Sequence, residues 1–243
     1  MGIGHVAVGL ALKRADRSLN VGWLIFAALL PDFLLGWFAL AGKESYQVPT
    51  DFASAHYLLF TFPWSHGLVS DLAWAAVAGL IAWRLAGRRV AAMAVALAVI
   101  SHYLLDGIVH VRGLPLGIRA SPALGLGLWR HMPLELTIEV AMAVSGLWLY
   151  RSIRRGRGMT IYIILLTAFL VVGQVLGNEA PARDALIASW IVATPMMAAI
   201  AFALDRQAQW MQAAGSVSAW RDRYWPLHTS TILPVTPPFP SSS

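Results

Sequence analysis

The stretch Ser101–His110, SHYLLDGIVH, carries His102, Asp106 and His110 at intervals of four. On a helix that spacing stacks all three side chains on one face, about one turn between neighbours. An imidazole and a carboxylate at i and i+4 make a clamp for a divalent metal. The same pair could also be a polar core contact, bonded internally and to a neighbouring helix. The setting weighs for the metal: the stretch closes a long apolar run, where every polar group must have a reason to be there.

The elements that must position these residues are apolar. The chain has 243 residues, is 58% hydrophobic and 12% charged, and has a mean hydropathy of +0.64. A soluble domain of this size needs more charge to cover its surface. The apolar stretches are continuous rather than alternating, which predicts an all-α polytopic membrane bundle. The absence of cysteine from the sequence excludes disulfides, thiolate metal ligands and a cysteine nucleophile. A net charge of +6 does not point to nucleic acid, because the basic residues fall in short clusters between apolar runs.

Six spanning helices are predicted at 21–41, 67–86, 90–110, 133–150, 159–177 and 185–204, each close to the ~20 residues a bilayer requires. Pro31 and Pro195 should bend the first and last, freeing the carbonyls of Ala27 and Ile191. Residues 1–12 are too short to span and read as a helix partly buried in the bilayer. A rival parse makes 13–41 a signal segment cleaved after Ala39-Leu40-Ala41; Asp32 in its apolar region speaks against it. Thirteen of the 18 basic residues fall on one side, within 13–17, 84–89, 151–157 and 206–223. That side is assigned to the cytoplasm and the loops 42–66 and 111–132 to the outer face of a bacterial inner membrane. Residues 1–210 form the membrane domain. Residues 211–243 form a cytoplasmic tail, interfacial around Trp220, Tyr224 and Trp225 and disordered beyond.

Depth then gathers the polar residues. At about 1.5 Å per helical residue, His5 lies about 12 Å above Lys13, Asp32 about 16 Å above Val21 and His102 about 18 Å above Val90. Asp106 and His110 lie higher on the same face, Glu139 one turn inside Glu135, and His66 enters from the outer loop. His5, Asp32, His66, His102, Asp106 and Glu139 therefore share one layer in the outer half of the bundle. Buried carboxylates could be satisfied by lysine or arginine, but none is available at that depth. A divalent cation is the substitute, and mixed nitrogen and oxygen ligands favour zinc, with manganese or iron as alternatives. Asp71, five residues after His66, has a structural or supporting place; His56, His110, His131 and Glu135 are outer ligands or headgroup-level polar residues. His228 has no role.

These residues resemble a family known as membrane-bound metal-dependent hydrolases. The resemblance runs from about residue 3 to residue 150. It rests on His5 followed by GLALKR, the LLPD ending at Asp32, PWSHGL around His66, SHYLLDGIVH, LPLG, LGLGLW and the helix carrying Glu139. The family is similar to zinc-dependent phospholipases C and zinc single-strand nucleases, which hold zinc with His, Asp, His, His-x-x-x-Asp and a late His-x-x-x-Glu. His5, Asp32, His66, His102 and Asp106 follow that order. For the ending, His131 with Glu135 fits the soluble spacing and Glu139 fits the membrane family. The segment VHVRGLPL departs from the family's usual form near His110–Gly113.

The expectation is a membrane-embedded hydrolase acting on a phosphoester or other lipid-linked substrate at the outer half of the bilayer. Bound metal would acidify a water and hold the ester oxygens, with Glu139, Asp32 or Asp106 as proton acceptor. Arg112, Arg119 and Arg130 are candidates for steering an anionic headgroup. The alternatives are a divalent-metal transporter and a non-catalytic metal- or haem-binding protein. No nucleic-acid partner is expected, and the sequence does not fix an oligomeric state.

Overall fold

The structure is a computed structural model and describes residues 2–111, 113–118 and 123–224. It is mostly helical, and five of its helices are long and apolar enough to cross a membrane, or six if one bent pair counts as a span. The chain begins with α1 (Gly2–Leu12), then the bent pair α2 (Val21–Ala28) and α3 (Leu30–Leu40). A short antiparallel hairpin, β1 (Ser45–Gln47) with β2 (Leu59–Thr61), encloses the single turn α4 (Phe52–Ala55). The long helices α5 (Leu68–Ala86) and α6 (Arg89–Val109) follow, then a second hairpin of β3 (Leu114–Pro115) and β4 (Ala123–Leu124). A 3-10 turn leads into α7 (Met132–Arg151), and α8 (Arg157–Leu176), α9 (Arg183–Ala188) and α10 (Thr194–Tyr224) complete the chain. The hairpins were not anticipated, because strands of two or three residues leave no periodicity to read.

Local chemistry explains the boundaries. Asn20 caps α2, its side-chain oxygen accepting the Gly22 N–H at 2.8 Å. Gly87 ends α5 in the left-handed region at φ 66°, which a Cβ would strain. The span expected over 21–41 is not continuous. It breaks at Leu29 and turns by 49°, because Pro31 suits the first turn of a new helix better than the middle of an old one. The carbonyl that takes a side-chain partner is Ala28's rather than Ala27's. Pro195, by contrast, does not break its helix: a π-helical turn over Ser189–Ala193 absorbs the missing donor, and Arg183–Ala214 passes as one span. No break occurs at residue 210, and α10 continues to Tyr224. The remaining tail, with Trp225 and His228, lies outside the described residues, as do Arg112 and Arg119.

Leucine, valine and tryptophan side chains cover the outside of the bundle; Leu72, Leu104, Val144, Leu165 and Phe169 are among those exposed. Helix α1, by contrast, is buried along most of its length and packs on α2, α6, α7 and α8. Its seat depends on missing side chains: a Cβ on Gly146 would lie 2.5 Å from the Ala7 carbonyl oxygen, and one on Gly9 2.9 Å from the Ile25 backbone. Ile3, Val6 and Leu10 form one core with Val21, Ile25 and Met159. Leu24, Ala28, Ala94 and Ala98 form a second between α2, α5 and α6.

At the Lys13 end of α1, Lys13 and Asp205 form an ion pair at 2.8 Å with both side chains fully buried. Burial lowers the pKa of Lys13, and the bond to Asp205 opposes that shift. The same carboxylate accepts Val21 N–H at 3.2 Å and the Tyr150 hydroxyl at 2.9 Å. Nearby, Asp16 accepts bonds from Ser18, Leu19 and Arg88. Burial alone would raise its pKa; those donors outweigh it and hold the carboxyl below the usual carboxylate range.

Candidate metal centre

The opposite end of α1 carries His5, and three other parts of the chain bring their polar residues to it. Asp32 stands in the first turn of α3, directly after the bend, where a carboxylate favours the helix N-terminus. His66 sits in the turn before α5, its N–H bonded to Phe62 O at 3.1 Å. Gly67 follows because a Cβ there would meet Pro63 O at 2.7 Å. His102 and Asp106 lie one turn apart on α6, and His110 caps that helix.

The result is a tight cluster. His102 Nε2 lies 3.0 Å from His66 Nε2 and 3.4 Å from Asp106 Oδ2. Asp32 Oδ1 approaches His66 Nε2 at 3.6 Å and His102 Nε2 at 3.8 Å. The other oxygen of Asp106 lies 3.2 Å from His5 Nε2, and the His5 and His102 rings stack with centroids 3.8 Å apart. Among the described residues two sets of ligand atoms each fall within a 4.8 Å span: His5, His102 and Asp106, and Asp32, His66 and His102. His5, His66, His102 and Asp106 are buried, whereas the Asp32 side chain keeps 27% exposure.

Hydrogen bonds to the far side of two rings fix their tautomers. His102 Nδ1 is 2.8 Å from Ala28 O, an acceptor only, so that nitrogen carries the proton. The Ala28 carbonyl can serve because the helix breaks at the next residue. His66 Nδ1 is 2.7 Å from Ser65 Oγ, which itself donates to Glu44 at 2.6 Å. The Glu44 carboxyl is buried, which raises its pKa; the Ser65 hydroxyl and the N–H groups of Ser65 and Trp64 oppose that shift. With both rings neutral, the two Nε2 atoms present lone pairs to each other at 3.0 Å. Two acceptors at that distance repel unless a proton on one nitrogen or a bound cation lies between them.

The remaining candidate residues divide. His110 joins through Asp106 Oδ2 at 3.2 Å, with Trp129 packed on its ring. Glu139, expected as a ligand, stands in neither ligand set among the described residues. The register explains why. Helices α1 and α7 run in the same direction with Gly146 against Ala7, which places Glu139 roughly 7 Å further out than His5. It lines an adjoining cavity of about 300 Å³ with Glu135, His56 and Gln174. This cavity shares Gly2, Phe60, Trp129 and Trp190 with the one of about 210 Å³ that opens onto the cluster. His131 ends the 3-10 turn before α7. Asp71 is buried on α5, and among the described residues neither carboxylate oxygen has a hydrogen-bond donor at good geometry. Glu44 was missed: it lies in a loop, 21 residues before Ser65, and no spacing rule links the two.

No family model, curated protein or solved structure matches the chain. The class must come from the fold and the site. It is a helical chain with five or six candidate membrane spans and a buried His/Asp cluster of metal-ligand geometry.

Proposed function

We propose that the chain is an integral membrane protein whose cluster holds a divalent cation, zinc by preference, and that it hydrolyses a phosphoester or other lipid-linked substrate. One observation carries this reading. Two imidazole Nε2 atoms, each turned inward by a bond on the far side of its ring, meet at 3.0 Å beside the carboxylates of Asp32 and Asp106. Donors of this mixed nitrogen and oxygen character suit zinc, manganese or iron. Histidines held by outer hydrogen bonds are the usual form of a metal ligand. A bound cation would supply Lewis acidity toward a phosphoryl oxygen and an attacking water.

The chain's own groups supply the rest. Asp32, more open to the cavity than its neighbours, is placed to exchange a proton with an incoming water. Trp129, Trp190 and Phe60 wall the cavity and limit its hydration. Glu135 and Glu139 give the adjoining lobe an acidic lining. On the far side of α6, at the depth of the cluster, Leu104 and Ile108 are exposed. The site then lies at a level where the surroundings are apolar, which favours a lipid-borne substrate. The charge asymmetry of the loops places it toward the extracytoplasmic leaflet.

Two observations disfavour the alternatives. Below the cluster, Leu24, Ala28, Ala94 and Ala98 form a packed apolar layer, a poor route for ion transport. A cavity of about 210 Å³ with facing nitrogens 3.0 Å apart leaves no room for a porphyrin between them. The decisive experiment is metal analysis of purified protein with a lipid-hydrolysis screen on wild type and His102→Ala. Zinc and turnover in the wild type, both lost in the variant, are expected. Equal turnover by both, or metal flux into liposomes without hydrolysis, would overturn the assignment.

A further inference from the structure

We propose that Glu44 and Ser65 form a positioning relay that dictates which nitrogen of His66 carries the proton, and so whether the one facing the cluster offers a lone pair, an inference that rests on the metal reading above. The donors decide it. Glu44 Oε1 accepts the N–H groups of Trp64 and Ser65 at 2.7 and 2.9 Å, and Oε2 accepts the Ser65 hydroxyl at 2.6 Å. A hydroxyl has one proton to give. With that proton committed to Glu44, Ser65 Oγ meets His66 Nδ1 at 2.7 Å as an acceptor. The imidazole proton is therefore held on Nδ1, and Nε2 offers its lone pair toward His102 and Asp32. All three side chains are buried, so water does not compete for these bonds. Outer partners of this kind set the orientation and basicity of ligating imidazoles.

The relay has a polarity that one substitution reverses. In Glu44→Gln the amide oxygen still accepts the two backbone N–H groups, but the amide nitrogen donates to Ser65 Oγ. The hydroxyl proton then turns to His66 Nδ1, and the imidazole proton must move to Nε2. The shape and the number of hydrogen bonds are retained; only their direction changes. Ser65→Ala removes the link and leaves Glu44 anchored by its two backbone donors.

The test uses the full-length protein in detergent micelles, stripped of metal and labelled with ¹⁵N-histidine. Long-range ¹H–¹⁵N correlations should show wild-type His66 protonated at Nδ1, Glu44→Gln protonated at Nε2, and Ser65→Ala a mixture. Competition with a chromophoric chelator should show Zn²⁺ bound roughly 10- to 100-fold more weakly by Glu44→Gln and Ser65→Ala, with Ser65→Thr close to wild type. A Glu44→Gln protein with His66 still protonated at Nδ1 overturns the relay. So does Ser65→Thr binding as weakly as Ser65→Ala. Should Glu44→Gln fail to fold, the Ser65→Ala tautomer decides instead, an unchanged Nδ1 proton overturning the relay. If wild type takes up no Zn²⁺, the metal reading fails, while the metal-free spectra still decide the relay.

Discussion

Two polar clusters are buried at opposite ends of α1, and they are built on opposite principles. Around Asp205 the donors fill the acceptors: Lys13 and Val21 donate to one oxygen and Tyr150 to the other, with the Arg154 guanidinium 3.6 Å away. Around His102 two imidazole nitrogens face each other beside two carboxylates, and Asp32 is paired only with histidines among the described residues. A saturated cluster has no electrostatic use for a further ion, because every charge already has its partner. A cluster of imidazoles and carboxylates without a lysine or arginine can still accept a cation. The contrast separates polar groups that hold a bundle together from polar groups that hold something else.

Each end can be broken separately. The largest effect is expected from Asp205→Ala, which leaves Lys13 buried without its anion; about 3–5 kcal/mol of stability should be lost, read from unfolding in detergent. Zn²⁺ affinity per folded molecule should not change. Asp106→Asn should do the reverse: at least a 100-fold loss of Zn²⁺ affinity, about 3 kcal/mol, with little loss of stability in the metal-free protein. Strong destabilisation of metal-free Asp106→Asn would mean that the outer cluster is structural like the inner one. Gly146→Ala pushes α1 off α7 and should cost about 1–3 kcal/mol, weakening both clusters together.

The smallest effect belongs to Asp16 and the partly exposed Arg88. Asp16→Asn should cost no more than about 1 kcal/mol at neutral pH. The sign with pH is fixed. Folding lowers the Asp16 pKa from its ordinary 3.8, so its contribution is complete above that value and lost as pH falls through the folded-state value. The stability gap between wild type and Asp16→Asn should close in acid. A gap that widened would exclude the carboxylate as its source.

What the sequence disclosed follows the same division. His5, Asp32, His66, His102 and Asp106 could be assembled on paper because helical rise fixes depth and i, i+4 spacing fixes a face. Glu139 could not be placed, since the register of α7 on α1 depends on a glycine contact that no periodicity announces. Glu44 and the Ala28 carbonyl were invisible for a related reason. One works through a loop fold and the other through a backbone atom exposed by a bend, and neither leaves a pattern in residue type. The hairpins over the outer end were likewise too short to read.

Helix α1 has a consequence for how the molecule is made. At 11 residues it is too short to cross a bilayer unaided, and its seat is formed largely by α7, translated long afterwards. A segment made well before α7 is thus among the last to find its place. His5 can reach its partners only when the bundle closes around it, so a half-finished chain carries an incomplete set of ligands.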